Sequence, residues 1–282
     1  MIQLVFLLEL LMTGTVAGFV GALTGLGGAV VITPVLSLLF GVPIEYAAGA
    51  SLVATIATSS GAAVAYIKDG IVNLKIGMSL EIATTIGAII GSFLAAAVYA
   101  NNLAYIIFII FGAVLLSSLY PTIKKGYGHK RTRTDWSTDV FQMKGVYYDK
   151  ATKKRVKYAG SRWHIGESIM FVAGTISGLL GVGSGVLKVL ALDSAMRLPI
   201  KVSTATSDFM IGVTAVTGSA IYWALGYIQP MLVAPVIVGV LLGAYFGTKT
   251  MQADGSSQLR SIFVIVLAIV AVEMILRGIG VA

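Results

Sequence analysis

The chain contains no cysteine, which excludes disulfides, thiolate metal sites and cysteine nucleophiles. Its only two histidines, His129 and His164, lie in the polar middle of the chain. No imidazole is left inside the apolar segments for a metal site or a proton relay. Charge is scarce as well: 11% of residues are charged against 57% hydrophobic, with a mean hydropathy of +0.92. That is too little polar surface for a soluble globule. The apolar runs are long and continuous, so the chain reads as an all-α membrane protein and not as an outer-membrane barrel, which needs alternation with period two. No Walker motif is present, so transport on direct ATP hydrolysis is not expected. No nucleophile–base pair stands out either, and neither an enzyme nor a cofactor is expected.

What the chain does have is a glycine break that occurs twice. The first copy is Gly25-Leu26-Gly27-Gly28-Ala29 and the second is Gly181-Val182-Gly183-Ser184-Gly185. A shift of 156 places one on the other and also aligns Leu36 with Leu192, Pro43 with Pro199, Ile44 with Ile200, Ser51 with Ser207 and Gly70 with Gly226. A run of matches in one register marks an internal duplication. Glycine permits unwound backbone and close approach, and in lipid such backbone is tolerated only where protein buries it or it lines a cavity. Corresponding breaks in two halves point to a transporter's binding site.

Ten apolar segments are expected, at about 2–22, 28–41, 45–67, 74–99, 102–120, 166–180, 185–196, 200–225, 230–249 and 258–277. Those at 28–41, 166–180 and 185–196 are too short to cross about 30 Å of hydrocarbon at about 1.5 Å per residue, and all three flank a break. The division is a first membrane repeat over 1–120, a basic loop over 121–165 and a second membrane repeat over 166–282. Five segments per half, or three crossings plus a re-entrant hairpin, make this an inverted repeat in either case, each half with a glycine-broken helix pair near its start. Twelve of the twenty Lys and Arg fall between Lys124 and Arg162. The positive-inside rule then places that loop in the cytoplasm and both termini outside. The N-terminal stretch lacks a basic flank and contains Glu9, so it is expected to be a first membrane segment and not a cleaved signal peptide. Within the loop, Val146–Asp149 and Arg155–Tyr158 alternate as in a small β-hairpin. The loop reads as a solvated connector that sets topology, or as a regulatory or anionic-lipid-binding element.

Charges inside apolar segments need a partner, water or a job. Asp193 with Arg197 and Glu273 with Arg277 are four apart and read as structural helix pairs, while Glu9 has no assigned role. Lys188 follows the second break by three residues, in the first turn of a helix with free backbone N–H groups, and completes an anion site there. The alternative is a lysine that snorkels or pairs with Asp193 or Asp208. Gly27, Gly28, Gly183, Ser184 and Gly185 supply backbone to the same substrate site. Ser51, Thr55, Thr206 and Ser207 add hydroxyls or simply pack closely. Asp208 and Glu81 are candidates to carry a coupling proton or sodium ion.

The duplicated stretches resemble the TauE/SafE family of sulfite and sulfonate exporter-like transporters. The likeness rests on Gly18-Phe19-Val20-Gly21 through Gly27-Gly28 and Pro34, Gly41-Val42-Pro43 and Ala50-Ser51-Leu52. In the second half it rests on Gly178 to Gly185, Leu198-Pro199 and Thr206-Ser207. The resemblance implies a prokaryotic inner-membrane transporter of small sulfur-containing or carboxylate anions such as sulfite, thiosulfate or a sulfonate, working by alternating access. Two departures stand out. Leu190 replaces the proline expected in the second half and should straighten that helix, and Asp208 adds a negative charge near the anion site. A cation channel or carrier using Asp208 and Glu81 is the alternative function. Expected partners are the anion, a coupling ion, membrane lipid and, as an open option, a second copy of the chain as a homodimer; no nucleic acid and no metal are expected.

Overall fold

Each apolar stretch becomes a helix, because in a bilayer only internal hydrogen bonding satisfies the backbone. The computed structural model describes residues 2–24, 27–123, 134–149, 153–252 and 257–280. In chain order these are α1 (Ile2–Thr24), α2 (Ala29–Pro34) continued by a π-helical turn (Val35–Leu39), α3 (Ile44–Lys68), α4 (Leu74–Ala100) and α5 (Ala104–Ile123). Then come a short α6 (Trp136–Val140), strands β1 (Lys144–Asp149) and β2 (Lys154–Ala159), and α7 (Trp163–Leu180). The chain ends in α8 (Gly185–Leu190) with its π-helical turn (Ala191–Ala195), α9 (Ile200–Ala224), α10 (Pro230–Gln252) and α11 (Ser257–Gly278). Among the described residues, the stretches Val5–Ala22, Ile44–Lys68, Leu74–Ala100 and Pro230–Lys249 are long and apolar enough to cross a membrane.

The register of 156 survives in the coordinates. Moved by that amount, α2, its π turn and α3 land on α8, its π turn and α9 with the same first and last residues. Helix pairing follows the same exchange. α1 packs along α10 and α4 along α7; α3 crosses α9 and α5 lies on α11. Small residues set the two long seams, since without a hydrophobic drive between helices in lipid close backbone contact does the work. A Cβ on Gly87 or Gly91 of α4 would sit 2.2 Å from the Phe171 carbonyl oxygen or 2.0 Å from that of Thr175 on α7. On the mirrored seam, Gly239 and Gly243 of α10 press on the Leu11 and Thr15 carbonyls of α1 at 2.1 and 2.0 Å by the same measure.

Two expectations change. The segment expected at 166–180 begins at Trp163, after Arg162 in a left-handed conformation, and reaches 18 residues. Polar Arg162 and His164 hid its first turn from the apolar pattern, so of the three only the stretches 29–39 and 185–195 remain short. Leu190 does not straighten its helix: a π turn follows it as one follows Pro34. The turn depends on what comes after it. Gly41 and Arg197 occupy corresponding left-handed positions at φ of 65° and 62°. Val42 and Leu198 donate back to the Leu36 and Leu192 carbonyls, each at 3.0 Å. This shared stop closes the last carbonyls with or without a proline. It also takes Arg197 off the helix on which it was expected to pair with Asp193.

Between the halves, β1 and β2 pair antiparallel, Lys144 opposite Ala159 through Asp149 opposite Lys154. This module is docked and not merely solvated. Met143, Tyr147 and Tyr158 share an apolar cluster with Ile76 and Leu80 of α4, Met170 of α7, and Leu192, Met196, Leu198 and Val202 around the end of the second half-helix. Lys201 reaches Asp149 at 2.8 Å, and Phe141 stacks on Trp163 with ring centroids 4.1 Å apart.

Candidate functional site

The two glycine breaks meet at the middle of the α3–α9 crossing. A Cβ on Gly183 would lie 2.3 Å from Ile211 Cγ2 and 2.9 Å from Thr55 Cγ2. On Gly27, with φ of 75°, it would lie 3.4 and 3.6 Å from the same two atoms. Thr55 and Ile211 are themselves counterparts at the 156 shift, so the contact point lies where the halves exchange. Gly28 opens α2, its carbonyl accepting from Val31 and Ile32 at 3.0 and 3.1 Å. Gly25 and Leu26 lie outside the described residues.

Hydroxyls hold the breaks in shape. Ser51 of α3 donates to the Gly181 carbonyl at 2.7 Å, fastening the second break to the first half. Its counterpart Ser207 donates to the Gly185 carbonyl at 3.3 Å, and Thr55 turns back to the Ser51 carbonyl at 2.8 Å. Ser184 adopts φ of 43°, and its hydroxyl is buried without a hydrogen-bond partner. Thr206 does not join this group: its hydroxyl accepts from the Asn73 N–H at 3.1 Å and supports the start of α4.

Lys188 is fully buried. Its ammonium donates to the Met210 carbonyl at 3.1 Å and to the Thr214 hydroxyl. Glu81 Oε2 lies 3.8 Å from Nζ, within ion-pair range and beyond hydrogen-bonding distance. Thr214 Oγ1 stands 2.6 Å from Glu81 Oε1 and 2.9 Å from the Met210 carbonyl. It has one hydrogen, and the shorter, charge-assisted contact takes it. The hydroxyl therefore relays between the ammonium and the carboxylate. The expected counter-charges for Lys188, Asp193 or Asp208, are not those found, because Lys188 points across α9 toward α4. Nothing local signals a pairing between residues 81 and 188; Thr214 was detectable as the counterpart of Thr58 in the 156 register.

Asp208 is the third charge. It is buried, its Oδ2 makes no hydrogen bond, and its backbone carbonyl accepts from Ser59 Oγ. Tyr66 lies within electrostatic reach of it and donates to the Ala22 carbonyl at 3.1 Å. Of the remaining charges, Arg277 donates to the Ser37 carbonyl at 2.9 Å, at the end of the first half-helix. No ion pair between Arg277 and the exposed Glu273 is found among the described residues. Among the same residues no cluster of His, Asp and Glu has the makings of a metal site.

The paired breaks thus meet at one crossing, with a buried lysine beside the second of them. The family described as Sulfite exporter TauE/SafE matches residues 10–274. The chain belongs to the TauE/SafE family. It is similar to the probable membrane transporter protein YunE of Bacillus subtilis, 29% identical with 96% of this chain and 97% of that protein covered. It is also similar to YdhB of the same organism, likewise named a probable membrane transporter, at 28% identity over 87% of this chain and 89% of that protein. A probable membrane transporter of Methanocaldococcus jannaschii, MJ0441, is 22% identical over 95% of this chain and 94% of that one. No solved structure matches the chain. As a member of this family the protein is a membrane transporter.

Proposed function

We propose that this TauE/SafE transporter is a secondary carrier of a small anion, a sulfur oxyanion or organosulfonate such as sulfite, thiosulfate or sulfoacetate, across the cytoplasmic membrane. The observation that carries this reading is Lys188, fully buried one turn beyond a helix break and only partly neutralised. A buried cation in a membrane is costly to keep, and one whose nearest carboxylate oxygen is not hydrogen-bonded retains capacity for a ligand. Gly27, Gly28, Gly183, Ser184 and Gly185 would present backbone to the anion, and Ser51 and Ser207 would hold that backbone in place.

The halves over 1–120 and 166–282 form an inverted repeat in this reading, with the 121–165 loop cytoplasmic and both termini outside. The exchange-symmetric pairing of α1 with α10 and α4 with α7 supports it. Alternating access then consists of one half rocking on the other about the α3–α9 crossing, where the breaks meet. The test is a thermal shift on purified protein with thiosulfate, sulfite, taurine and acetate, wild type beside Lys188→Ala. A ligand of the native state raises the melting temperature by mass action. A saturable rise with a sulfur oxyanion, absent in the variant, is the expected result; no rise with any anion would sink the reading.

Asp208 favours a second reading. A buried carboxylate with an oxygen left without a hydrogen bond is a cation ligand in waiting, which suits a sodium ion or proton coupled to the anion, or a cation carrier outright. Stabilisation by sodium that Asp208→Asn removes, with no effect of any anion, would move the assignment there.

A further inference from the structure

We propose that Glu81 is a built-in competitor for the substrate: its carboxylate holds the place of the anion at Lys188, and protonation of Glu81 frees that place, so one proton accompanies each anion bound. This deepens the anion-carrier reading and rests on it. The geometry is that of an unfinished ion pair. Lys188 Nζ has three hydrogens and two acceptors, the Met210 carbonyl and Thr214 Oγ1. Glu81 Oε1 is engaged by Thr214, whereas Oε2 is buried, makes no hydrogen bond and stops 3.8 Å from Nζ. One donor and one acceptor thus face each other without closing, in a place where both are costly to leave unsatisfied.

The surroundings leave few other outlets for the charge. Among the described residues Glu81 meets the charge of Lys188 from α8 and the Thr214 hydroxyl from α9. Its own helix contributes Thr84, whose hydroxyl turns to the Glu81 carbonyl at 2.9 Å, and Thr84 and Thr85 both bring a hydroxyl near the carboxylate. α7 packs against this part of α4 through Gly174, which abuts the Thr84 backbone, and adds no charge there. The pair is therefore neutral as it stands. Adding an oxyanion to Lys188 would bury a net negative charge unless the carboxylate is neutralised. A proton drawn from the aqueous side onto Oε2 does that for a monoanion and removes one unit of the negative charge for a dianion such as thiosulfate: Glu81 becomes a neutral acid, the ammonium keeps its charge, and a sulfonate, sulfite or carboxylate oxygen takes the third hydrogen. The halves share a framework, yet this device exists in one place only. Lys188, Thr214 and Glu81 correspond at the 156 shift to Ile32, Thr58 and Ile237.

The test is thiosulfate binding to the purified protein by calorimetry as a function of pH, wild type beside Glu81→Gln. Thiosulfate keeps its charge over about pH 5 to 8, so a pH dependence belongs to the protein. Wild-type affinity should strengthen about tenfold per pH unit as pH falls where Glu81 is ionised, and the variant, with a neutral amide, should bind tightly with no slope. Repeating the wild-type titration in buffers of different ionisation enthalpy should return about one proton taken up per anion, a readout that needs no variant to fold. Equal slopes in wild type and variant, or no proton uptake by the wild type, would overturn the proposal while leaving anion binding intact. Absence of binding by both proteins, with thiosulfate and with the wider anion panel, would overturn the anion reading and this proposal with it.

Discussion

The two half-helices, α2 and α8 with their π turns, are built on one plan and filled in opposite ways. Both start at a glycine break, both end at a left-handed residue, and both lean on a threonine, Thr58, which donates back to the Ala54 carbonyl at 3.0 Å, and Thr214, which turns its hydroxyl to Glu81 Oε1 at 2.6 Å. At the positions that match Lys188 and Glu81 stand Ile32, fully buried in an apolar cluster, and Ile237, which packs against that cluster. Around Thr214 the chain places Lys188 and Glu81. Leu52, fully buried, likewise stands where the other half has Asp208. The duplication supplies geometry; the chemistry has been put into one copy.

The sharpest way to break this comparison is to make the charged copy resemble the apolar one. Lys188→Ile alone leaves Glu81 buried and uncompensated, which costs about 3–5 kcal/mol. The pair Lys188→Ile with Glu81→Ile copies the first half, and replacing a buried ion pair by packed hydrophobics is neutral or stabilising by about 1–4 kcal/mol. Chemical denaturation in detergent should therefore rank the double variant at or above wild type and the single variant far below it. Binding of any anion should be lost in both. A double variant as unstable as the single one would mean that the pair is needed for folding and that the two half-helices are not interchangeable frameworks.

The seams allow a second comparison at smaller cost. Gly178 of α7 corresponds to Ala22 of α1. A Cβ at Gly178 would stand 2.1 Å from the Ala88 carbonyl oxygen, so that seam is closed to a methyl group. At Ala22 the methyl is already present, and a Cβ on Gly247 would meet it at 3.0 Å. Gly178→Ala should cost about 1–3 kcal/mol by overpacking. Ala22→Gly should cost less than about 1 kcal/mol, mostly through helix propensity. Equal losses in thermal unfolding would show that the two seams carry the same load.

Much of this plan is legible in the sequence because glycine and the 156 register speak about backbone. Gly25 to Gly28 and Gly181 to Gly185 announce the breaks, and Ser51 with Ser207 names the two hydroxyls that fasten break carbonyls. The alternation at Val146–Asp149 and Arg155–Tyr158 marks residues that pair as strands. What does not show is which side chains meet across helices. Glu81 lies far from Lys188 in sequence and comes to it only because α4 packs against the helices of the other half. Thr206 looks like a neighbour of Ser207 and Asp208, yet one residue of helical rotation, about 100°, turns it toward Asn73. The hairpin's docking surface is hidden for the same reason: it joins residues of α4, α7 and the second half-helix that share no local pattern.

That hairpin has no counterpart in the pseudo-symmetric frame, and its anchors can be weakened without touching the breaks. Asp135 caps α6, accepting from the Thr138 N–H at 3.2 Å and from the Arg162 N–H at 2.6 Å. Burial alone raises its pKa, but hydrogen bonds from Ser137, Arg162 and Thr138 outweigh that and hold the carboxyl below the usual range. The sign follows: the cap's contribution is complete above an ordinary aspartate pKa of about 3.9 and is lost as pH falls through the lower folded value. Asp135→Ala should cost about 1 kcal/mol at neutral pH. Amide protection factors around α6, taken against the intrinsic rate at each pH, should fall in acid in the wild type and be lowered already at neutral pH in the variant, with the helix breaks unaffected. An equal loss of protection at Gly183 would tie the hairpin to the helix breaks.

The smallest expected effect separates charges that hold structure from charges that only sit in water. Lys144 and Asp139 approach to 2.5 Å, but their side chains are 59% and 71% exposed. Lys201 and Asp149 stand 2.8 Å apart with the aspartate side chain only 9% exposed. Exposed pairs gain little over hydration and lose what they gain to salt. Lys144→Ala should therefore change stability by less than about 0.5 kcal/mol, an amount that disappears in about 1 M salt. Lys201→Ala leaves a nearly buried carboxylate with its ammonium removed and should cost more, with a loss that salt does not erase. The ordering from Lys144 through Lys201 to Lys188 follows burial of the partner carboxylate environment and not distance, since the closest of the three contacts is the one expected to matter least.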